Sequence, residues 1–296
     1  MSTMRALFIL STLASSVFCW GNLGHRTVAL LAEQDFTEEA QAFAKQLLNG
    51  TDIDTAAIWA DKYKDTPDGR PTGSWHFVNA NDTPPLACDV VPRRDCAQSC
   101  ILNVIPNMAR LLRSLDTTLP EKMEAFNFLI HLVGDLHMPL HVEGLARGGN
   151  DIHVTFAAEP TTLHIIWDVH ILQKRAAEYG TDERAAAKRW AQELHNRSYD
   201  LTSRAAGLQH YLSDPHPVDL AQPEEEILAW AQESNSWVCR YVLKDGQTSV
   251  SGRELSGGYY EGAVPIVDEL IWKAGKRLAS WINALAAEQS RSPVGP

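Results

Sequence analysis

Histidine and aspartate residues are concentrated in one short segment of this 296-residue chain, between Phe128 and His141. The segment reads Phe-Leu-Ile-His-Leu-Val-Gly-Asp-Leu-His-Met-Pro-Leu-His, and residues 164–168 repeat its His-x-x-x-Asp spacing. Residues four apart on a helix project from the same face one turn apart, so each His–Asp pair can close on one cation. The two pairs are His131 with Asp135 and His164 with Asp168.

A single histidine on an apolar helix face is more often a packed core residue than a metal ligand. Here two His–Asp pairs and His141 stand among large apolar residues such as Phe128 and Trp167. Burying so many polar groups is unfavourable unless they are paired or coordinate a metal. The pattern therefore predicts a metal site.

The ligand types narrow the choice of metal. Imidazole and carboxylate groups with no cysteine nearby suit zinc in a hydrolytic site, whereas structural zinc sites are usually rich in cysteine and closed. Zinc lowers the pKa of bound water towards ~7 and polarises a phosphoryl or carbonyl oxygen. We therefore expect a catalytic zinc site.

Residues 1–19 have the features of a secretory signal peptide. Arg5 precedes the apolar run 6–10, and mostly small residues follow. The apolar run is too short to span a bilayer. We expect cleavage after Cys19, which leaves a mature chain of residues 20–296 that is secreted or kept within the secretory or lysosomal pathway.

Four cysteines remain after that cleavage, an even number that favours disulfides over metal ligation in an exported chain. Cys96 and Cys100 are close enough for a local loop. That pairing leaves Cys88 for the distant Cys239, although three connectivities are possible from sequence alone. Three glycosylation sequons, each a weak signal alone, fit a secretory route in a eukaryotic host. They begin at Asn49, Asn81 and Asn196.

Helical periodicity dominates the mature chain, and no linker, repeat or low-complexity tract divides it. We expect a mainly α, single multihelical domain with a small β-hairpin, and a monomer with no stable membrane anchor. The hairpin strands are predicted at Asp151–Phe156 and Thr161–His164. The predicted helices are Val28–Glu33, Glu38–Leu48, Ile101–Leu115, Pro120–His141, Glu183–Arg197, Pro223–Leu243 and Val267–Ala287.

The formal net charge of −11 argues against a protein that coats nucleic acid through a basic surface, because such binding needs clustered lysine and arginine. It does not exclude an enzyme that acts on phosphates. Bound metal cations supply local positive charge that the net charge does not reveal.

Six motifs follow one another between Trp20 and Asp168 of the mature chain. They are Trp20–His25, Ile58–Asp61, Trp75–Phe77, the His-x-x-x-Asp-x-His-x-Pro-Leu-His run of 131–141, Gly148–Asn150 and His164–Asp168. In their order and residues they resemble the zinc-dependent single-strand-specific nucleases, the class I nuclease and 3′-nucleotidase family of fungi, plants and trypanosomatids. That family is distantly related to bacterial zinc phospholipase C.

The resemblance implies a site for three zinc ions. One zinc would be held by Asp61, His76, His131 and Asp135, and Asp135 would bridge to a second zinc held by His25 and the α-amine and carbonyl of Trp20. The third zinc would be held by His141, His164 and Asp168. An α-amine can bind metal only after the signal peptide is removed, so processing would complete the site.

The resemblance also implies roles near the metals. Lys64 would stabilise transition-state charge, although a solvated lysine is the alternative from sequence alone. Phe77 would support a nucleobase whose edge bonds to Asn79, where fungal members have a carboxylate, and this change leaves base preference open. Asn150 would contact substrate, although its neighbouring glycines equally suit a simple turn. His137 would support the site or pack against it.

The activity implied is endonucleolytic hydrolysis of P–O3′ bonds in single-stranded DNA and RNA, with Asp61 orienting water and 5′-phosphorylated products, together with 3′-nucleotidase activity. Single strands would be preferred because a base must leave its stack to reach Phe77. One alternative is a zinc phospholipase C-like phosphodiesterase, which gives Phe77 and Asn79 no purpose. The other is a non-catalytic zinc-binding glycoprotein, which carboxylate-rich ligation with open positions disfavours.

Overall fold

The computed structural model describes residues 20–204 and 218–291, so the expected signal peptide lies outside the described residues. Helices dominate, and the two strands form one antiparallel hairpin, which confirms the predicted mainly α fold. The helices are α1 (Asn22–Glu33), α2 (Glu38–Leu48), α3 (Ile53–Ala56), α4 (Trp59–Lys64), α5 (Pro92–Asp95), α6 (Ile101–Arg113), α7 (Leu119–Leu136), α8 (Leu163–Ile165), α9 (Ile171–Ala176), α10 (Glu183–Arg204), α11 (Pro223–Trp237), α12 (Gln247–Val250) and α13 (Gly258–Arg291), and the strands are β1 (His153–Phe156) and β2 (Glu159–Thr162).

The core is built around α1, α7 and α13. Residues 128–136 of α7 are all buried, as expected for a helix that is apolar on every side. The long helix α13 packs against α1, α2, α6 and α7, and α1 also packs against α10. Because α1 and α7 carry predicted metal ligands, those ligands are held by the most rigidly packed part of the molecule.

The helix predicted over Pro120–His141 was wrong at its C-terminal end, because α7 ends at Leu136. Proline lacks the N–H that would continue the helix, and it disfavours the α conformation in the residue before it. Pro139 therefore starts a separate 3₁₀ turn, Pro139–Val142. This turn carries His141 away from the axis of α7.

The predicted hairpin is confirmed, with His153 opposite Thr162 in the antiparallel pair. The predicted strand bounds were wrong, because β1 starts at His153 rather than Asp151 and β2 spans Glu159–Thr162 rather than Thr161–His164. The second strand ends at Thr162 because its side chain accepts a hydrogen bond from the Ile165 backbone N–H and so caps α8. His164 therefore lies on α8, which continues into a π-helical turn over Ile166–His170.

The other predicted helices are present, and the ends of most of them differ from the predicted bounds. The α2 helix has the predicted bounds, and α6 stops at Arg113 because Ser114 is extended. The α11 helix gives way to a π-helical turn over Val238–Val242. The α10 helix continues to Arg204 and α13 extends from Gly258 to Arg291, so both are longer than predicted. None of the helices in the described ranges is both long and apolar enough to cross a membrane.

Two disulfides cross-link the described part of the chain. Cys88 is bonded to Cys239, 151 residues away, and Cys96 is bonded to Cys100. This is the pairing that the sequence spacing favoured. The longer disulfide ties the loop that follows residues 77–80 to the end of the α11 region.

Candidate metal centre

Eight side chains from separate parts of the chain meet in the interior, and each is at most 9% exposed. They come from α1, α4, the 3₁₀ turn before residue 77, α7, the 3₁₀ turn Pro139–Val142, and the α8 region. All of the predicted histidine and aspartate ligands are among them: His25, Asp61, His76, His131, Asp135, His141, His164 and Asp168. We call these eight side chains the His/Asp cluster.

The first expected metal group is Asp61, His76, His131 and Asp135, and its side chains are in mutual contact. Asp135 Oδ2 lies 2.9 Å from His76 Nδ1 and 3.1 Å from His131 Nε2. Asp61 Oδ1 lies 3.5 Å from His131 Nε2 and 3.8 Å from His76 Nδ1. A cation among these atoms would meet two imidazoles and two carboxylates, a donor set that suits zinc.

Asp135 also faces the rest of the cluster through its other oxygen. Oδ1 lies 3.2 Å from His25 Nε2 and 3.4 Å from His141 Nδ1. A bridging carboxylate must direct its two oxygens towards different metal positions, and Asp135 has this arrangement. His25 is close to the first group as well, since its donor atom lies within 4.8 Å of those of Asp61 and His131.

The third expected group, His141, His164 and Asp168, is also assembled. Asp168 Oδ2 lies 3.0 Å from His164 Nε2, and its Oδ1 lies 3.6 Å from His141 Nε2. The donor atoms of the three residues are all within 4.8 Å of one another.

Backbone carbonyl groups orient two of the imidazole rings. His131 Nδ1 lies 2.7 Å from the Ala57 carbonyl oxygen, and His164 Nδ1 lies 2.7 Å from that of Gly148. A ring that donates its Nδ1–H to a carbonyl keeps the Nε2 lone pair for a metal. These contacts assign both tautomers in the form that a metal ligand requires.

Two glycines make room for this geometry. A β carbon on Gly134 would lie 2.8 Å from His25 Nδ1, so only glycine lets α7 approach that ring. Gly148 has a φ of +61°, and a β carbon there would lie 2.6 Å from the Leu140 carbonyl oxygen. The Gly-Gly-Asn motif therefore shapes the backbone beside His164.

The carboxylates and imidazoles of the His/Asp cluster stabilise each other's charged forms. Burial favours neutral Asp135, but the surrounding histidines, His131 first, hold the pKa of Asp135 well below its usual range. Burial lowers the pKa of His131, yet Asp135 and Asp61 raise it to about 10. The ionised carboxylates thus create a centre that needs positive charge, which protons or metal ions can provide.

Several buried donor atoms of the cluster make no hydrogen bond of good geometry among the described residues, although some of them face each other across the contacts given above. They are both ring nitrogens of His25, Nε2 of His164, Oδ1 of Asp135 and both carboxylate oxygens of Asp168. Buried polar atoms are rarely left in this condition unless an ion or water completes them. The residues therefore fit a metal cluster with nitrogen and oxygen ligands.

Trp20 lies beside this cluster, fully buried. The next residue, Gly21, donates its backbone N–H to the Asp168 carbonyl oxygen at 2.8 Å and begins the turn into α1. The main chain at Trp20 is thus close to the segment of the third group, and α1 continues to His25. The role of the Trp20 amine and carbonyl as ligands remains a prediction.

Phe77 and Asn79 lie on an extended segment that leaves the metal centre directly after His76. Val78 and Ala80, which alternate with them, are buried. The Val78 N–H donates to the His141 carbonyl oxygen at 2.9 Å. Alternation places Phe77 and Asn79 on the same, outer side, where Phe77 is half-buried and Asn79 is exposed.

Lys64 and Asn150 have defined partners. Lys64 Nζ lies 2.5 Å from Asp61 Oδ1, so the amine is at the metal centre rather than on the open surface. The Asn150 side-chain amide donates to the Arg147 carbonyl oxygen at 2.8 Å and closes the glycine turn. That contact matches the turn alternative and leaves the amide oxygen of Asn150 to carry any contact with substrate.

His137 packs away from the donor atoms of the cluster. Its Nδ1 donates to the Val133 carbonyl oxygen at 2.7 Å, and its Nε2 accepts from Arg277 at 2.7 Å. Burial, reinforced by Arg277, lowers the pKa of His137 to about 3, so the ring is neutral. The roles of Gly134 and of the Ala57 and Gly148 carbonyl groups could not be predicted from the sequence. Contacts made by the backbone do not depend on a recognisable pattern of residue types.

Comparisons with known proteins extend over this whole site. The S1/P1 Nuclease family profile matches residues 20–287. Nuclease S1 of Aspergillus oryzae is 36% identical over 282 residues, covering 94% of this chain and 96% of that protein. Nuclease P1 of Penicillium citrinum is 33% identical over 271 residues, with 90% and 97% covered. Endonuclease 4 of Arabidopsis thaliana is 30% identical over 314 residues, with 98% of each covered.

These matches confirm the resemblance that the six motifs indicated. They include both fungal and plant proteins, and the family profile spans the full set of His/Asp cluster residues. The chain belongs to the S1/P1 nuclease family, whose members are metal-dependent, and it is a phosphodiesterase with nucleic acid as its substrate.

Proposed function

We propose that this chain is a secreted endonuclease with three zinc ions, which hydrolyses P–O3′ bonds of single-stranded DNA and RNA to 5′-phosphorylated products and also acts on 3′-nucleotides. The observation that carries the proposal is that the two carboxylate oxygens of Asp135 contact different pairs of imidazoles. Oδ2 contacts His76 and His131, and Oδ1 contacts His25 and His141. This division supports adjacent metal positions, as needed to act on both sides of a phosphodiester.

The residues that would hold the metals are those of the His/Asp cluster, together with the amine and carbonyl of Trp20. When bound, zinc supplies a water of lowered pKa and positive charge for the phosphate oxygens. Asp61, His76, His131 and Asp135 would hold one ion; Asp135, His25 and Trp20 a second; and His141, His164 and Asp168 the third.

Asp61 and Lys64 are proposed to carry out the chemistry beside the metals. Burial raises the pKa of Asp61, but His131 and Lys64 lower it by more, so the carboxylate is ionised. In that state it can accept a hydrogen bond from the attacking water and orient it in line with the P–O3′ bond. Lys64, held against Asp61, can donate to a non-bridging phosphate oxygen where charge develops.

Phe77 and Asn79 are proposed to bind the base next to the scissile phosphate. The aromatic ring offers a stacking surface, and the Asn79 amide offers both a donor and an acceptor to the base edge. A base can reach this surface only when it has left its helical stack, which gives the preference for single strands. Asn150 is proposed to bind substrate through its amide oxygen.

The secretory features belong to the same proposal. The signal peptide would direct the chain into the secretory pathway, and its cleavage after Cys19 would expose the Trp20 amine. The mature chain is proposed to be a monomer. The sequon residues Asn49, Asn81 and Asn196 are all exposed, as glycosylation requires. The two disulfides also fit an oxidising compartment.

The test is a parallel assay on single-stranded DNA, RNA, duplex DNA, 3′-AMP and phosphatidylcholine, with and without a zinc chelator. We expect zinc-dependent cleavage of the single strands and of 3′-AMP, with little action on the duplex. The products should carry 5′-phosphates. Hydrolysis of phosphatidylcholine alone would support the phospholipase-like alternative, and zinc binding without any hydrolysis would support the binding glycoprotein.

A further inference from the structure

Asp82, Glu143 and Asn235 form a second buried polar cluster, which the proposed reaction does not use. Donor atoms of Asp82, Glu143 and the neighbouring Cys88 lie within 4.8 Å of one another. Glu143 is 1% exposed and Asn235 is 0% exposed. We call Asp82, Glu143 and Asn235 the oxygen cluster.

Three buried oxygen atoms of this cluster have no hydrogen-bond partner in the described part of the chain: Asp82 Oδ1, Glu143 Oε2 and Asn235 Oδ1. The orientation of the Asn235 amide follows from its contacts. Its Nδ2 donates to Asp82 Oδ2 at 3.1 Å and to the Val142 carbonyl oxygen at 2.9 Å. The Asn235 amide therefore holds Asp82 through its nitrogen, and its oxygen is the atom left without a donor.

The charge of the oxygen cluster also requires a partner. No lysine, arginine or histidine among the described residues forms an ion pair with Asp82 or Glu143. Two acidic groups this close need a shared proton or a cation between them.

The donor chemistry selects the cation. Cys88 is bonded to Cys239, so it offers no thiolate, and only oxygen ligands remain. Oxygen-only ligation suits hard cations, and calcium accepts carboxylate, amide and water oxygens in flexible geometry. Asp82 is partly exposed, which lets water complete the coordination. We propose that Asp82 and Glu143, with Asn235 holding Asp82 in place, bind one calcium ion, separate from the metals of the His/Asp cluster.

A calcium ion there would brace one wall of the active site. Asp82 follows the extended segment 77–80, and Glu143 follows the turn Pro139–Val142. These two segments are already paired, because the Gly144 N–H donates to the Ala80 carbonyl oxygen at 3.0 Å. Asn235 on α11 donates to Asp82 and to the Val142 carbonyl oxygen, so the ion would bind where three segments that are far apart in sequence meet.

The test uses the zinc-loaded full chain, dialysed against calcium-free buffer and then against calcium. We expect one calcium per chain by mass spectrometry, with a Kd between about 10 μM and 1 mM, and a higher Tm when calcium is present. Asp82→Asn and Glu143→Gln should each weaken calcium binding at least tenfold and abolish the calcium effect on Tm. Asp116→Asn, which changes an exposed carboxylate, should behave like the unaltered protein.

The Glu143→Gln chain is expected to fold, because the N–H of the new amide can donate to the Asp82 carboxylate. This hydrogen bond would replace the cation or the shared proton between the two carboxyl groups. Absence of calcium binding to the unaltered protein at about 10 mM, or equal binding by both variants, would overturn the proposal and leave a shared proton between the carboxyls. Zinc content and single-strand hydrolysis, measured on the same samples, test the proposed function separately, because they depend on the His/Asp cluster.

Discussion

Asp135 contacts four histidines through a single carboxylate. The contacts are His76 at 2.9 Å, His131 at 3.1 Å, His25 at 3.2 Å and His141 at 3.4 Å. Asp135 is fully buried on α7, so neither solvent nor another side chain can replace it. The substitution with the largest effect on the metal centre is therefore expected at this position.

Asp135→Asn keeps the size of the side chain but removes its charge and replaces one oxygen by an NH₂ group that cannot bind a cation. We expect loss of at least one zinc per chain and a fall in turnover by about three orders of magnitude or more. Metal analysis and single-strand hydrolysis on the purified variant measure both. Asp68→Asn, at an exposed site, is the control, and near-normal turnover with three zincs in Asp135→Asn would refute the bridging role.

Phe77→Ala removes the proposed stacking surface without touching a metal ligand. Stacking contributes roughly 1–3 kcal/mol per base, so KM for single-stranded oligonucleotides should rise roughly 5- to 150-fold at unchanged zinc content. Phe77→Trp should retain most of the affinity. Leu86→Ala, which truncates a side chain that is 90% exposed, should leave KM unchanged. If Phe77→Ala also leaves KM unchanged, the base binds elsewhere.

At the scale of the element, α7 was the easiest part to predict. Its apolar periodicity and the four-residue separation of His131 and Asp135 are local properties, and the structure shows that pair at 3.1 Å. The end of the helix was missed because periodicity continues to His141, while Pro139 starts a new turn. A proline in such a run is a stronger boundary signal than apolar spacing.

The parts that sequence could not predict depend on contacts between distant elements. The Ala57 carbonyl oxygen that orients His131 belongs to another segment, and so does the space left at Gly134 for His25. The oxygen cluster joins Asp82 and Asn235 from segments more than a hundred residues apart. No local spacing encodes such contacts, so resemblance to a family was needed to group the ligands.

Glu233 on α11 joins that helix to α13 through Lys273 and Arg277. Burial raises the pKa of Glu233, but Arg277 and Lys273 lower it by more, so that the pKa is about 2. A carboxyl whose pKa is lower in the folded chain stabilises the fold above about pH 4.5, and this contribution disappears as the pH falls towards 2. The ion pairs should therefore matter near neutral pH and cease to matter in acid.

Glu233→Gln is expected to lower the free energy of unfolding by roughly 1–2 kcal/mol at pH 7, after allowance for solvent screening of a partly exposed group. The difference between variant and unaltered protein should shrink between about pH 4.5 and pH 2. Urea unfolding at several pH values provides the measurement. Glu225→Gln, exposed on the same helix, should show no such difference, and a pH-independent loss in Glu233→Gln would rule out the ion pairs as the cause.

At the scale of the whole molecule, the metal centre joins elements that are far apart along the chain. Its ligands extend from α1 to the α8 region, and those elements pack against α7, α9 or α13. Metal binding is therefore coupled to folding, because the ligands are brought together only in the folded chain. The mature N-terminus belongs to this coupling if the Trp20 amine is a ligand.

A chain that begins Met-Trp20 tests the N-terminal ligand. One added residue turns the Trp20 amine into a peptide nitrogen, which is a poor zinc ligand at neutral pH. We expect the extended chain to bind fewer zincs than the chain starting at Trp20 and to have little activity, with unchanged helix content by circular dichroism. An extended chain with three zincs and full activity would show that the amine takes no part.

The most direct measurement is the number of zinc ions per chain in protein that begins at Trp20. Native mass spectrometry counts the ions, and single-strand hydrolysis is assayed on the same sample. The His/Asp cluster predicts three zincs, loss of hydrolysis as a chelator removes them, and return of hydrolysis when zinc is restored. Full hydrolysis by protein that holds one zinc or none would contradict a catalytic centre built on Asp135 and its four histidines.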